Sequence, residues 1–230
     1  MSEQIEILYL DRDLVVSVKP RGILSEGEGA SCFPTLLSEA LRERGEQDGI
    51  FPVHRLDRET EGLMVYARTD RAAAALSRAI TEGSMKKEYL AVATGTPEPA
   101  ASLCDLLFYD RARGKSFVVD RQRKGVKEAR LDYARLASRD GLSLLRVKLY
   151  TGRTHQIRVQ LASRGFPLVG DRRYGAPACP YPMALCSAYL SFPHPSRKET
   201  LCFTYLPKLD SGDGRESAFS VFSEELKKIE

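Results

Sequence analysis

The chain has 230 residues, 43% of them apolar and 29% charged, with a formal net charge of +4. That length can bury a large core as one big domain or two small ones, and the composition is that of an ordinary soluble globular protein. No apolar run approaches the ~20 residues that cross a bilayer. The opening MSEQIEILYLDRD lacks the basic flank and long apolar segment of a secretory signal, so a cytoplasmic protein is expected.

In chain order, Ile5–Leu10 and Leu14–Lys19 read as a hairpin around Asp11-Arg12-Asp13, closed by Pro20-Arg21-Gly22. Thr35 is placed as the cap of a helix through Leu36, Leu37, Ala40 and Leu41, with Gly45 or Gly49 ending it. The polar burst His54-Arg55-Leu56-Asp57-Arg58-Glu59-Thr60-Glu61 then switches at Gly62 to the apolar run Leu63–Ala67, a buried strand. Asp70 is placed as the cap of a second helix, Arg71–Ile80, closed by Gly83.

Met85–Thr94 reads as a strand, and 96–101 as a loop with Pro97 and Pro99. Residues 111–130 show no clear period apart from Phe117-Val118-Val119 and read as a loop or small hairpin. Leu131–Ala137 and Leu142–Tyr150 flank the hairpin signal Asp140-Gly141. Thr154 is placed as the cap of a helix through Ile157 and Leu161 that stops at Gly165. A Gly/Pro-rich loop follows to Tyr181, then strands Leu185–Phe192 and Leu201–Tyr205. Ser211-Gly212-Asp213-Gly214 divides a main domain, 1–210, from a linker and short helical tail, 211–230. Many hairpin-linked strands with few helices predict an α+β fold built on a large, mainly antiparallel sheet.

Charge is unevenly spread. Residues 1–50 hold ten acidic and five basic side chains, whereas 111–130 hold eight basic against Asp120 and Glu128. Arg153, Arg158, Arg164, Arg172 and Arg173 form a second basic concentration. A charge run is often plain solvated surface, but two such segments around a candidate site favour a polyanion partner, RNA or DNA. The five cysteines are odd in number and scattered, and the spacings of Cys179, Cys186, His194 and Cys202 lack the close CxxC pairs of structural zinc sites, so no metal is expected.

Three groups are candidates for chemistry. In His54-Arg55-Leu56-Asp57 a lone carboxylate sits among cations that keep it ionised, available as a nucleophile or base. A surface ion pair is the plain alternative. Thr151-Gly152-Arg153-Thr154-His155-Gln156-Ile157-Arg158 sets an arginine at a helix start, where free N–H groups attract anions; a capped helix with solvent-facing arginines is its plain reading. Tyr89 lies in an apolar strand, as a core residue or as a face on which a base stacks. GxGxxG, Walker, HExxH and GxSxG motifs are all missing.

Together these groups resemble the RluA-type family of RNA pseudouridine synthases. The HRLD-x-x-T-x-G-L signature is matched by His54 to Leu63, K-x-Y by Lys87-Glu88-Tyr89, and GRTHQIR by Gly152–Arg158. Leu168-Val169-Gly170-Asp171 with Tyr174-Gly175 is similar to L-x-GD-x-x-YG, and Phe192-Pro193-His194-Pro195 to F-x-HP. Leu10-Asp11 through Lys19-Pro20 and Gly22 is similar to the opening hairpin and KPxG turn. The resemblance covers about residues 5–207, with motifs in order. Glu61 stands where the family often has serine, and Leu185-Cys186-Ser187 where it has LHA. The early start of the hairpin resembles the short branch without an S4-type domain.

The resemblance implies a pseudouridine synthase fold around a central cleft, acting on ribosomal or transfer RNA with no cofactor and no obligatory protein partner. It implies Asp57 as catalytic carboxylate, Arg153 as its orienting cation, and Tyr89 packing on the uracil. Arg55 is implied to fill the space vacated by the flipped uridine. His54, Thr60, Leu63, Thr154, His155, Ile157 and Arg158 are expected around the substrate, His54 in a structural part. Arg121, Arg123, Lys124, Arg172 and Arg173 are expected on the RNA backbone. The strands Leu63–Ala67 and Leu144–Leu149 are expected to keep the pocket dry. The rival readings are a non-catalytic RNA-binding module and an RNA-cleaving enzyme with His155 as base.

Overall fold

The computed structural model describes residues 5–27, 29, 32–47, 49–210 and 216–229. Among them lie eleven strands and four α-helices, an α+β protein as expected. The chain clusters into two units: Met1–Lys87 with Ser187–Tyr205, and Glu88–Cys186 with Leu206–Glu230.

The first unit opens with β1 (Ile7–Leu10) and β2 (Leu14–Lys19), paired antiparallel as the hairpin pattern predicts. The Asp11 carboxylate closes the turn by accepting the N–H groups of Asp13 (2.8 Å) and Leu14 (3.0 Å), an Asx-type device. His194, buried in the F-x-HP segment, braces it from outside. Its Nδ1 accepts the N–H groups of Ser196 and Arg197, so its proton sits on Nε2, which is 2.8 Å from Asp11 Oδ2.

β4 (Glu61–Ala67) lies between β2 and β10 (Leu185–Pro193), with β3 (Phe51–Pro52) also on β4 and β11 (Thr200–Thr204) on β10. α2 (Asp70–Thr81) packs Ala72, Leu76 and Ala79 against Leu14, Val16, Leu63 and Val65, side chains that alternate along their strands to one face. Phe33 of α1 (Phe33–Glu43) meets Tyr66, ring centroids 6.0 Å apart.

Both helices start earlier than predicted. α1 begins at Phe33, with Cys32 rather than Thr35 at its N-cap and a proline in its first turn, where the missing N–H costs nothing. A long-range bond decides this start, since Phe33 N–H donates to Leu24 O at 2.7 Å. In α2 the cap is Thr69, whose Oγ1 accepts from Ala72 N–H, and Asp70 occupies the first turn.

In the second unit the strand order is β5 (Lys86–Thr94), β9 (Leu142–Leu149), β8 (Val126–Arg139), β6 (Ala100–Asp110), β7 (Lys115–Val119). Asp140 (φ 54°) and Gly141 (φ 72°) form the β8–β9 turn with both residues left-handed, as a type I′ turn requires. Of the two readings of 111–130, loop or small hairpin, the hairpin stands, since β6 and β7 pair antiparallel across 111–114. The stretch holds a turn after β6, all of β7, a second turn, and the start of a 14-residue β8 whose ladder to β6 runs from Ala100↔Ala134 to Phe108↔Val126.

α3 (Gln156–Ala162) is capped by His155, not Thr154. The left-handed residue after it is Gly165, two positions past the cap residue Ser163. Residues 211–215 of the expected linker lie outside the described residues. Beyond them, Phe219 and Phe222 are wholly buried in a short 3₁₀ turn, each contributing about 1.5–3 kcal/mol by burial. No helix among the described residues is long and apolar enough to cross a membrane.

Candidate functional site

The expected site residues fall into two groups, one in each unit. His54, Arg55, Asp57, Thr60 and Leu63 belong to the first; Tyr89, Arg153, Thr154, His155, Ile157 and Arg158 to the second, as do all five expected backbone cations.

In the first unit Asp57 is half-buried and opens a tight turn, its carbonyl accepting the N–H of Thr60 at 3.0 Å. The turn is tied on both sides. Ser25, 2% exposed, donates from Oγ to Leu56 O (2.7 Å) and accepts Leu56 N–H (3.1 Å), while Tyr66 Oη donates to Ser25 O (2.9 Å). Gly22 N–H donates to Arg58 O and Arg58 Nε returns to Gly22 O, each at 2.8 Å.

Beneath these ties lies Lys19, wholly buried, whose Nζ donates to Pro20 O (2.7 Å), Ile23 O (2.9 Å) and Arg58 O (3.3 Å). Burial pushes its pKa down to about 7, against the pull of Glu59, Glu61 and Asp57. The KPxG turn is thus stapled to the Asp57 turn by an internal ammonium. Sequence reasoning placed Lys19 only in a turn motif, and Ser25 not at all.

His54 is structural in its contacts. Its Nε2 accepts Val65 N–H at 3.1 Å, so the proton of the neutral ring is on Nδ1, which is buried without a hydrogen-bond partner among the described residues. Burial, and then the Lys87 charge, push its pKa down to about 3. Arg55 pairs at 2.7 Å with Glu26, both about half exposed, a weak surface contact. Thr60 and Leu63 are buried, and Leu63 O accepts from Ser187 Oγ at 3.1 Å.

Next to them Gly62 has φ +113°, and a Cβ there would stand 2.4 Å from Ser187 O. Only glycine lets β10 approach so closely at this point.

In the second unit Tyr89 is 6% exposed within β5. Arg153 precedes α3. Its N–H donates to Gln156 Oε1 (3.0 Å), which also accepts from Thr151 Oγ1 (2.8 Å), and its Nε donates to Glu128 O (2.8 Å). The Gln156 side chain therefore occupies one backbone N–H ahead of the helix, that of Arg153.

Thr154 accepts Ser116 Oγ–H at its carbonyl. His155 is left-handed (φ 55°), with Nδ1 2.9 Å from Tyr174 Oη. Ile157 is buried. Arg158, 5% exposed, makes a bidentate pair with Asp171 at 2.7 and 2.9 Å under the Tyr174 ring, so its guanidinium faces its own unit's interior.

Arg121, Arg123, Lys124, Arg172 and Arg173 are exposed. Arg123 lies over the Phe108 ring (5.0 Å), and Arg173 Nη1 donates to Gly114 O (2.7 Å). Among the described residues no cluster of three or more His, Cys, Asp or Glu could hold a metal ion.

A model of the RNA pseudouridylate synthase family matches residues 13–163, which include the HRLD, K-x-Y and GRTHQIR segments. An uncharacterized RNA pseudouridine synthase of Aquifex aeolicus (strain VF5) is 34% identical over 220 residues, covering 86% of this chain and 68% of that protein. The ribosomal large subunit pseudouridine synthase D of Nitrosomonas europaea is 36% identical over 179 residues, covering 74% of this chain and 50% of its own length. This chain thus spans from half to about two thirds of these relatives.

Among solved structures, human RNA pseudouridylate synthase domain containing 4 superimposes with a TM-score of 0.75 at 23% identity, covering 96% of this chain and 93% of that one. That likeness establishes the fold. With the family's signature present whole and relatives above 30% identity, the chain belongs to the RNA pseudouridylate synthase family, in its RluA-type branch.

Proposed function

We propose that this protein isomerises specific uridines to pseudouridine in structured RNA, ribosomal or transfer. The C1′–N1 bond breaks, the uracil turns, C5 bonds to C1′, N1 gains a proton and C5 loses one. Nothing is oxidised or hydrolysed. Asp57 is the carboxylate that attacks the nucleotide or takes a ribose proton, and Arg153 holds it ionised and oriented. Tyr89 packs on the uracil and Arg55 enters the space the flipped uridine leaves.

The observation that carries this reading is the Asp57 turn. Its flanking peptides are held by Ser25, Gly22 and the buried Lys19, the rigid support that a reacting carboxylate needs. The Nitrosomonas relative, by its name, acts on the large ribosomal subunit, which favours ribosomal RNA as the first substrate to try.

The test is Asp57→Asn, assayed by pseudouridine mapping on total RNA from a strain lacking the gene. The variant is expected to fold and bind RNA while turnover falls on the order of 10³-fold or more. Substantial residual pseudouridine refutes the assignment. Arg153→Ala is expected to lose on the order of 10²-fold through a misplaced carboxylate, and near-normal turnover removes it from the pair.

A further inference from the structure

The second unit carries a cleft of about 730 Å³ walled by β6, β8 and the residues just before α3. Its volume is within the ~300–1,000 Å³ typical of ligand clefts. Around it stand Tyr109, Arg111, Lys127 and Arg153, with Asp110 the acidic member. Asp110 is already engaged, since it accepts Arg113 N–H at 3.1 Å and faces Arg113 Nε at 3.6 Å. The side chains of Arg111 and Lys127 are exposed and make no hydrogen bond or ion pair among the described residues.

Tyr109 is 39% exposed at the cleft. It is backed edge-on by His155 at 6.2 Å, and His155 in turn by Tyr174 at 5.7 Å. The tyrosine is therefore held in place by a short aromatic stack while part of its ring stays open. An exposed ring beside cations stacks an unpaired base and neutralises the adjoining phosphates together. A duplex offers such a surface only its backbone, because its bases are already stacked and paired.

We propose that this cleft holds a single-stranded segment of the RNA substrate, one base stacked on Tyr109 and the adjoining phosphates facing Arg111 and Lys127. The inference rests on the reading of the protein as an RNA isomerase for its choice of polyanion. It adds a recognition site that favours RNA with an unpaired stretch.

The experiment is fluorescence anisotropy on the full chain with a labelled single-stranded RNA about 8 nucleotides long and with the same sequence as a duplex. Tyr109→Ala is expected to weaken single-strand binding on the order of 5–100-fold while leaving duplex binding unchanged, and Tyr109→Phe to keep wild-type affinity. Arg111→Gln with Lys127→Gln should reduce the salt slope by about 1.4, at roughly 0.7 per phosphate of a single strand.

The proposal is overturned if Tyr109→Ala binds the single strand like wild type, or weakens strand and duplex equally. It is also overturned if a polyglutamate of equal charge displaces the RNA as well as RNA itself does. Should Tyr109→Ala melt early, Tyr109→Leu decides, keeping the packing on His155 without a π face. The two readings fail separately. Tyr109-dependent binding without any pseudouridine formed leaves the cleft and removes the isomerase. Asp57-dependent pseudouridine with unaltered Tyr109→Ala binding does the reverse.

Discussion

Replacing Lys19 by methionine keeps most of the apolar stem, one atom shorter, and removes the charge and the three donors. The wild-type ammonium is wholly buried and its pKa is depressed from 10.5 to about 7 by that burial. At 1.36 kcal/mol per unit, a depression of that size disfavours the charged form by about 5 kcal/mol. The three carbonyl dipoles around Nζ work against the depression, which makes this figure a ceiling.

The sign follows from proton counting. Between about pH 7 and 10.5 the unfolded chain holds the lysine proton and the folded chain releases it, so wild-type stability rises with pH across that window. Below pH 7 both states are protonated, so the pH dependence vanishes while the cost of the buried charge is fully present. Urea unfolding of both proteins from pH 6 to 10 is the assay. The wild-type-minus-variant difference should grow by up to about 1.4 kcal/mol per pH unit above 7, other groups cancelling. Parallel curves at all pH values would refute a buried, depressed ammonium. At a fixed pH of 7.5, pseudouridine formation by Lys19→Met should also drop on the order of 10–100-fold, because the Asp57 turn loses its internal staple.

Gly62→Ala should cost about 3 kcal/mol or more, since the new Cβ meets Ser187 backbone at 2.4 Å with φ +113°; an unchanged urea midpoint contradicts that geometry. Arg158→Met should destabilise by about 3–5 kcal/mol by leaving Asp171 buried and unpaired. Adding Asp171→Leu should restore most of the loss, and additive losses in the double variant would count against the pair. Neutralising Arg121, Arg123 and Lys124 to glutamine should lower the salt slope of single-stranded RNA binding by about 2. A slope equal to wild type excludes that turn from the interface.

Local features were readable in advance. The Asp11 turn and the Asp140-Gly141 hairpin follow from what those residues do to their own backbone, and both stand as expected. Helix starts were less readable, because Leu24 O, nine residues upstream, sets the first turn of α1. The basic stretch showed its small hairpin at Phe117–Val119 but hid the start of β8 at Val126. At its start Val126 and Ala129 are buried three residues apart, so the alternation of Ala129–Ala134 does not reach back to Val126, and pairing with β6 orders it. Arg158 looked like a substrate contact beside Thr154 and His155, yet its partner Asp171 sits 13 residues on and inside the unit.

From the sequence alone came the family, through HRLD, K-x-Y and GRTHQIR in order, and with it Asp57 as the residue to mutate. Such motifs are legible because the chemistry demands particular side chains at particular spacings. Only the tertiary structure decided that Lys19 lies buried under the Asp57 turn, that Ser25 clasps Leu56, and that Tyr109, Arg111 and Lys127 share a cleft. Those contacts run to main-chain carbonyls or between strands far apart in sequence, and a carbonyl, being common to every residue, leaves no mark in the letters that precede folding.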